Sequence, residues 1–406
     1  MSRENKKLKN KPGSPAVGDD EFFGREEELE RLIQKVTDGN SVHISAPRRI
    51  GKTSLMRQAE NDLKDSGHIC FRHNLEGFKS PSDWMYKLAE DMYKNASFTE
   101  SITAIIKNVI LSGESDIQDM LRSAINSERW HIQGVNFFKA LYDSCPNEKR
   151  IVVFLDELAV MIEKMQKEQD KELRRTEAHE EVTHFITWLR SIHQNFHGKI
   201  SFVAASSIGL LPLLERLNLS VHVNYFADFF LEAWDAETSK ECILALARGK
   251  EIKISDETAG IMTEMIMTSG RCSPYYVQVF FSVANDNLFS KERDSYSKDE
   301  LSEIYRKYLI RGNAISPTLN HAIERLEKSL SSEEYNLAEQ ILSKLAQNGE
   351  ITAKSKVKNI KSETNEKSFR YVLNILKHDG YIEETDDGYY FRDKPLRDWW
   401  RNKYGK

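Results

Sequence analysis

Short apolar runs alternate with longer stretches of mixed polarity through the first half of the chain. The runs at residues 41–44, 68–75, 151–155 and 199–205 have the length and composition of buried strands. The stretches between them carry apolar residues at helical spacing. Strands that alternate with helices predict a doubly wound α/β sheet, with a ligand at the C-terminal ends of the strands. We expect the second strand to lie beside the first.

Helical periodicity dominates two further regions. Residues 80–145 carry apolar stripes, of which Trp84, Leu88 and Met92 form one. A second stripe comprises Ile102, Ile105, Ile106 and Ile110. From about Phe226 as far as residue 325 the pattern is wholly helical, which predicts an all-α domain.

The C-terminal part of the chain has a different pattern. Residues 332–345 and 368–378 predict amphipathic helices, with a short segment at 351–360 between them. Two strand-like runs then flank Asp387-Gly388, a pair that favours a tight hairpin turn. Three helices followed by a hairpin predict a winged helix-turn-helix domain.

Composition limits the class of protein. The 406 residues have a formal net charge of −5, with 40% apolar and 30% charged residues, which describes a globular chain with charged helical faces. The net charge argues against a protein that coats nucleic acid along its whole surface. The four cysteines are scattered, and no apolar run approaches the ~20 residues of a membrane span. We therefore expect a cytoplasmic protein with reduced thiols and no membrane partner.

The stretch from Ser45 to Leu55 carries the strongest chemical signal. A strand, a loop ending in Gly51-Lys52-Thr53 and a helix form a phosphate-binding loop, or P-loop. Inward-pointing backbone N–H groups and the helix N-terminus favour a polyphosphate there. Lys52 can reach the β- and γ-phosphates, and the Thr53 hydroxyl can bind Mg²⁺. Ala46 replaces the usual first glycine of the motif.

A second motif follows about a hundred residues later. The apolar run at 151–155 ends in Asp156-Glu157, which is typical of a Walker B strand. Asp156 can hold the magnesium shell, and Glu157 can act as the general base for the water that attacks the γ-phosphate.

Polar residues also follow the last predicted strand. Either Ser206 or Ser207 can orient the attacking water, and we take Ser206 as the candidate catalytic residue. Arg216 has two interpretations, an arginine finger or a charge on a helix surface. The histidines of the run 179–184 lie five positions apart and do not share a helical face, which argues against a zinc site.

Five stretches occur in a fixed order along the chain. They are Phe23-Gly24-Arg25-Glu26, residues 47–55 with the doubled arginine, Leu155-Asp156-Glu157, Ser206-Ser207 and residues 270–278. In this order, and with a terminal winged helix, the chain resembles the prokaryotic archaeal-type ATPases of the AAA+/STAND group. The resemblance covers residues 22–406. It implies an additional-strand P-loop NTPase core, an all-α lid and a C-terminal winged helix-turn-helix.

The resemblance also implies cofactors and contacts. It implies ATP with Mg²⁺, Phe23 and Arg25 near the adenine, and Arg271 or Pro274 in a lid that closes over the nucleotide. The residues expected to bind nucleotide are Phe23, Arg25, Ala46, Pro47, Arg48, Arg49, Ile50, Gly51, Lys52, Thr53, Ser54 and Pro274.

These inferences divide the chain into four parts. Residues 1–20 are polar and contain Pro12, Gly13, Pro15 and Gly18, so we expect a disordered tail. The P-loop ATPase domain then takes 21–225, the helical lid 226–325 and the winged helix 326–406.

The predicted function is an ATP-hydrolysing conformational switch. The alternatives are a DNA-binding regulator with a slow ATP gate, and a scaffold that oligomerises on ATP or docks a protein client. Basic residues around the second and third helices of the winged domain would supply contacts to the phosphates of duplex DNA. They are Lys354, Lys356, Lys358, Lys361, Lys367 and Arg370. Acidic residues within 379–387 oppose that role, and the choice between DNA and a protein partner stays open.

Overall fold

The computed structural model describes residues 6–94, 117–126, 128–167, 172–348, 351–361 and 366–405. The predicted stripe at 102–110 lies outside these residues. The chain folds as two compact units. Unit 1 comprises Met1–Glu26, Ala46–Ser54 and Leu231–Lys406, and unit 2 comprises Glu27–Ser45 and Leu55–Phe230. Each unit has its own continuous apolar core.

The core of unit 2 is built on a five-stranded parallel sheet. Its strands are β1 (Ser41–Ser45), β2 (Ile69–Asn74), β3 (Ile151–Asp156), β4 (Ile200–Ala205) and β5 (Phe226–Phe230). They are arranged in the order β2-β3-β4-β1-β5. Every residue of β3 and β4 is buried, as expected for strands covered by helices on both faces.

Two expectations about this sheet are wrong. The second strand pairs with β3 at the edge of the sheet and does not lie beside β1, whose neighbours are β4 and β5. The region from Phe226 is not helical at its start, because Phe226–Phe230 forms the fifth strand. Phe226 and Phe229 of this strand are buried, its other residues are partly or fully accessible, and all five residues pair with β1.

Helices connect the strands of this sheet. They are α1 (Glu26–Thr37), α2 (Lys52–Asp65), α3 (Pro81–Lys94), α4 (Ile117–Ala124), α5 (Trp130–Ser144), α6 (Leu158–Lys167), α7 (Glu172–Asn195) and α8 (Leu210–Arg216). The predicted stripe of α3 is confirmed, since Trp84, Leu88 and Met92 are buried. The sequence pattern therefore places the apolar face of this helix correctly.

Unit 1 begins its helical part after β5. Its helices are α9 (Ala236–Gly249), α10 (Asp256–Ile266), α11 (Pro274–Asn287), α12 (Lys298–Ile304) with a π-helical continuation at Tyr305–Ile310, and α13 (Ser316–Ser329). Side chains cap three of these helices. Asp235 accepts from the N–H of Thr238, Ser255 accepts from that of Thr258, and Ser297 forms a capping box with Glu300.

The C-terminal part of unit 1 contains helices and a small antiparallel sheet. Its elements are α14 (Ser332–Asn348), β6 (Thr352–Ala353), α15 (Lys354–Lys358), α16 (Glu366–His378), β7 (Ile382–Glu384), β8 (Gly388–Phe391) and α17 (Lys394–Tyr404). The strands are arranged in the order β6-β8-β7. The predicted helices and hairpin are confirmed in position and order. The hairpin turns between Thr385 and Gly388, where the N–H of Thr385 donates to the carbonyl of Gly388.

The four-part division stays a prediction. Within unit 1, one core runs continuously from Trp234 in the helical part to Trp400 in α17. No helix is long and apolar enough to cross a bilayer, as far as the described residues extend.

Residues 6–20 differ from the disorder that their composition predicts. Leu8 is buried in the core of unit 1, and its N–H donates to the carbonyl of Ala245 in α9. The carbonyl of Lys6 accepts from Arg248. Gly249 makes this approach feasible, because a Cβ there would lie 1.9 Å from the Leu8 carbonyl oxygen. The buried side chain of Leu8 and these hydrogen bonds to the segment's backbone thus help to fix residues whose composition is mostly polar.

Candidate functional site

The P-loop joins β1 to α2 and has the backbone conformation of a phosphate cradle. Gly51 has a φ of 102°, a region that favours glycine. A Cβ on Gly51 would meet no protein atom within 4 Å, so the space beside this residue is open. Arg49, at a φ of 69°, is also in the left-handed region. The open space inside a curved loop at a helix N-terminus fits a bound phosphate.

Lys52 is buried at the first position of α2. Its ammonium donates to the carbonyls of Ala46, at 2.6 Å, and Pro47, at 2.8 Å. Both acceptors are backbone groups, so the alanine that replaces the usual glycine does not prevent this interaction. The lysine is thus held by the loop itself, within the turn where phosphate oxygens would be expected.

Arg25 lies on the backbone of the P-loop. Its Nη2 donates to the carbonyl of Ile50 at 3.3 Å and to that of Glu232 at 2.5 Å. Phe23 is buried against Trp234, edge to face, with ring centroids 6.0 Å apart. The Trp234 indole N–H donates to the carbonyl of Gly24. The box 23–26 therefore braces the loop and the residues just before α9. The adenine contacts that the resemblance implies stay a prediction.

A residue near the other end of the chain also bonds to the P-loop. Arg392, which directly follows β8, donates from Nη2 to the carbonyl of Arg48 at 3.2 Å. The same guanidinium bonds to the carboxylate of Asp393 through Nε at 3.0 Å and Nη2 at 2.5 Å. Asp393 in turn accepts from the hydroxyl of Ser273, just before α11. Arg392, Asp393 and Ser273 are buried, and through them the P-loop, the helical part and the C-terminal part share one polar network.

Close backbone packing accompanies this network. Gly380, between α16 and β7, has a φ of 79°, and a Cβ there would lie 2.3 Å from the Cβ of Pro47. Arg49 stacks its guanidinium on the ring of Tyr275 in α11, 4.4 Å from the centroid. Of the two consecutive arginines in the motif, Arg49 thus packs its side chain on α11, and Arg48 accepts a hydrogen bond from Arg392 through its backbone carbonyl.

The remaining predicted loop residues have local roles. Ser54 accepts from the N–H of Ala16, at 2.9 Å, so it holds the N-terminal segment. Thr53 is half-buried in the first turn of α2. Pro274 is buried at the first turn of α11, where proline is favoured. Arg271 bonds to Glu232 and to the carbonyl of Ala233.

In unit 2, the carboxylates of the predicted Walker B motif lie at the C-terminal end of β3. Asp156 is buried and is level with Ala205 of β4, which is level with Ile44 of β1. The register therefore places Asp156 at the edge of the sheet where β1 ends. Glu157 follows at a φ of 62°, an uncommon conformation for a residue with a side chain.

Ser207 holds the Glu157 carboxylate. Both its N–H, at 2.8 Å, and its hydroxyl, at 2.7 Å, donate to Oε2 of Glu157. Ser206, the predicted catalytic residue, instead accepts from the N–H of Ala159 in the first turn of α6, at 2.8 Å. The sequence indicated that one of two serines serves here, and the geometry favours Ser207 as the residue next to Glu157, the predicted general base.

Unit 2 holds one other candidate from the sequence. Arg216 is exposed at the end of α8, so both interpretations of it stay open. The ring of His193 bonds to Ser41 at 3.0 Å and stacks on Tyr225, which gives it a structural role. Among the described residues, no group of three or more His, Cys, Asp or Glu side chains could hold a metal ion alone.

Comparison with known proteins agrees with this geometry at the level of fold. No protein-family model matches the sequence, and no curated protein matches it. A Walker-type ATPase of Pyrococcus abyssi superposes with a TM-score of 0.66 at 14% identity, covering 96% of this chain and 99% of the other. The ORC2 protein of Aeropyrum pernix, solved as ADPNP–ADP complexes, has a TM-score of 0.53 at 13% identity, covering 94% of each chain. The chain has the fold of the AAA+ P-loop ATPases. At this level of identity the likeness concerns the fold, and the chemistry is argued from the residues.

Proposed function

We propose that the protein binds ATP with Mg²⁺ on the P-loop, hydrolyses it, and uses the cycle as a conformational switch of the AAA+/STAND type. The observation that carries the proposal is the open cradle at Gly51 with the buried ammonium of Lys52 beside it. The switch would act on the winged-helix module, which we define as residues 332–404.

Each motif residue has a role in this proposal. Lys52 exchanges the carbonyls of Ala46 and Pro47 for phosphate oxygens of ATP. Thr53 and Asp156 would hold Mg²⁺, which neutralises charge on the phosphates. Glu157 takes a proton from the attacking water as general base. Both hydrogen bonds from Ser207 end on Oε2, which leaves Oε1 of Glu157 as the acceptor for that proton.

Coupling to the winged-helix module would pass through Arg392. Lys52 and Arg392 donate to the neighbouring carbonyls of Pro47 and Arg48. When Lys52 leaves the carbonyl of Pro47, the peptide group between Pro47 and Arg48 loses a hydrogen bond. The carbonyl of Arg48, which accepts from Arg392, is the next one along the chain. Arg392 also bonds to Asp393 and Ser273, so a shift of the loop would reach both α11 and α17.

One observation favours a second candidate, a regulator that binds duplex DNA. Lys356, Lys358 and Lys367 are exposed, and among the described residues their ammonium groups form no ion pair. Two other cations of the predicted patch are neutralised, Lys354 by Glu384 and Arg370 by Glu366. The basic patch is therefore smaller than the sequence suggests. For this reason DNA binding is proposed as the alternative function and the ATP-driven switch as the main one. An ATP-dependent oligomeric scaffold is a further alternative.

ATP turnover by the purified protein, with and without duplex DNA, tests the proposal. We expect Lys52→Ala to abolish ATP binding, because the loop loses its phosphate-binding cation. We expect Glu157→Gln to bind ATP normally and to lose most turnover, roughly a hundredfold or more, because the amide cannot accept the proton. Nucleotide binding is followed separately by the rise in thermal stability with ATP.

The outcomes separate the candidates. Turnover retained in Glu157→Gln would disprove its role as base. Turnover stimulated by DNA, with DNA affinity that falls steeply as salt rises, would favour the regulator. A mass increase on ATP addition with negligible turnover would favour the scaffold.

A further inference from the structure

A cavity lies within unit 1, between the helical part and the winged-helix module. Its volume is about 460 Å³. Its lining includes Met267, Thr268, Ser269, Phe391, Lys394 and Arg397. None of these residues belongs to the P-loop or to the polar network around Arg392. The cavity thus combines apolar walls with two cationic side chains.

The floor of the cavity carries polar groups that lack protein partners. Lys394 is half-buried, and within the described parts of the chain its ammonium forms no hydrogen bond or ion pair. The hydroxyl oxygen of Thr268 is buried and has no hydrogen-bond partner there either. Such groups are normally satisfied, because leaving them without a partner costs free energy. A cation and a hydroxyl left in this state at one cavity indicate an anionic ligand.

Local charge favours an anion as well. Lys298 and Arg397 both lower the pKa of Lys394, and burial is the largest cause of that shift. Asp398 is the acidic group that acts on Lys394, and its carboxylate is occupied by Arg397 and by the hydroxyl of Tyr305. Two cations, Lys394 and Arg397, line the cavity, and Lys298 acts on Lys394 from nearby. A second carboxylate, that of Glu383, accepts from the hydroxyl of Tyr390, which also lines the cavity, and is therefore also bound.

The backbone adds to this field. Lys394 is the first residue of α17, and a helix N-terminus attracts negative charge. Asp393 occupies the cap position but bonds to Arg392 and Ser273 and does not cap the helix. The turn at 268–271 places Ser269, at a φ of 50°, beside the opening. Apolar contacts are available from Phe391, which is buried, and Met267.

We propose that this cavity binds a small organic anion with an aromatic or other apolar body, such as an aryl phosphate. The anionic group would lie between Lys394 and the first turn of α17, within reach of the Thr268 hydroxyl. The apolar body would pack on Phe391 and Met267. Because the cavity is lined by both parts of unit 1, its ligand would act as an effector of the winged-helix module, independently of whether ATP is hydrolysed.

Titration calorimetry with phenyl phosphate tests this site. A non-hydrolysable ATP analogue and Mg²⁺ are kept in excess, so that the P-loop is filled. We expect phenyl phosphate to bind, and Lys394→Met to weaken it by roughly tenfold or more, because a charge-assisted hydrogen bond is lost. The matched control is Lys403→Met, on the same helix, which removes the same charge from an exposed position bonded to Asn320. It should change the affinity by less than about twofold.

Further probes keep the test decisive. Phenol should bind much more weakly than phenyl phosphate, and inorganic phosphate should bind more weakly because it lacks the apolar part. Thr268→Val, which preserves shape, should weaken phenyl phosphate by a few fold and serves if Lys394→Met does not fold. Equal affinities for Lys394→Met and Lys403→Met would overturn the proposal. So would binding that disappears when the ATP analogue is present.

Discussion

The two units satisfy their buried polar groups in different ways. In unit 1, Arg392 and Asp393 form an ion pair with side chains 5% and 3% exposed, and Arg392 extends this pair to the P-loop. In unit 2, Ser41 and His193 form a buried contact between neutral side chains, and the buried carboxylate of Glu60 pairs with Lys64 and Arg72, two cations that remain in contact with solvent. An uncompensated buried charge costs far more free energy than an unpaired neutral group. Removing one partner of the buried ion pair in unit 1 should therefore lower the free energy of unfolding much more than removing one partner of the neutral contact in unit 2.

The largest expected effect is on stability in unit 1. Arg392→Ala leaves the carboxylate of Asp393 buried without its cation, and we expect the free energy of unfolding to fall by about 3–5 kcal/mol. Chemical denaturation followed by circular dichroism measures this change. Arg370→Ala, which breaks the exposed pair with Glu366, should leave stability nearly unchanged. The comparison fails if Arg392→Ala is no less stable than Arg370→Ala.

An intermediate effect is expected on the rate of ATP turnover when Ser207 of unit 2 is changed. Ser207→Ala removes the hydroxyl that donates to Glu157 but keeps the backbone N–H. We expect kcat to fall by roughly tenfold with KM unchanged, since one charge-assisted hydrogen bond is lost. Ser207→Thr should restore most of the rate.

Ser206→Ala is the matched control for this change. It removes the acceptor of the Ala159 N–H, so it should lower stability by about 1 kcal/mol and leave kcat within about twofold. Equal losses of kcat in Ser206→Ala and Ser207→Ala would show that the geometry around Glu157 does not select Ser207.

The smallest effect is a pH dependence in unit 2. Burial raises the pKa of Asp91, but hydrogen bonds from His73 and Lys87 outweigh it and bring the pKa to about 2. Because the pKa in the folded protein lies below the ordinary value of 3.8, this stabilisation is present above about pH 4 and is lost as the pH falls towards 2. Because the Asp91 side chain is 30% exposed, screening by solvent limits the effect to about 1 kcal/mol.

Asp91→Asn checks this prediction. The difference in the free energy of unfolding between wild type and variant should shrink as the pH is lowered from about 6 to about 3. Asp143→Asn, at an exposed pair with Lys139, should show little such change. A constant difference across this range for Asp91→Asn would mean that its contacts do not stabilise the folded state.

The sequence predicted the local features of the site well. The sequence predicted the strand, loop and helix around Lys52 and the strand that ends at Asp156. Each of these features depends on the pattern of residues that are consecutive in the chain. The hairpin around Gly388 is likewise a local turn signal. Prediction failed at β5, where five residues with an interior aspartate carry too weak a strand pattern. The strand exists because it pairs along its length with β1.

Contacts between residues far apart in the chain could not be predicted from the sequence. The placement of β2 depends on which strand it pairs with, and nothing in residues 69–74 specifies β3. The contact of Arg392 with Arg48 joins residues 344 positions apart, and no spacing rule relates them. Similarly, the buried position of Leu8 depends on Gly249, which accommodates it without a side chain. These contacts follow from tertiary packing, so composition alone indicated disorder for residues 6–20.

The N-terminal segment also bears on the order of events during synthesis. All residues of unit 2 have been made once Phe230 is reached, whereas unit 1 needs residues from both ends of the chain. Lys6 and its partner Arg248 are separated by 242 residues, which corresponds to roughly 10–50 s of translation. The segment and the P-loop residues leave the ribosome long before α9, α11 and α17 exist. Unit 2 can therefore complete its core while the P-loop still lacks Arg392 and the other residues of unit 1 that anchor it, and the loop is fully anchored only after the C-terminal residues are released.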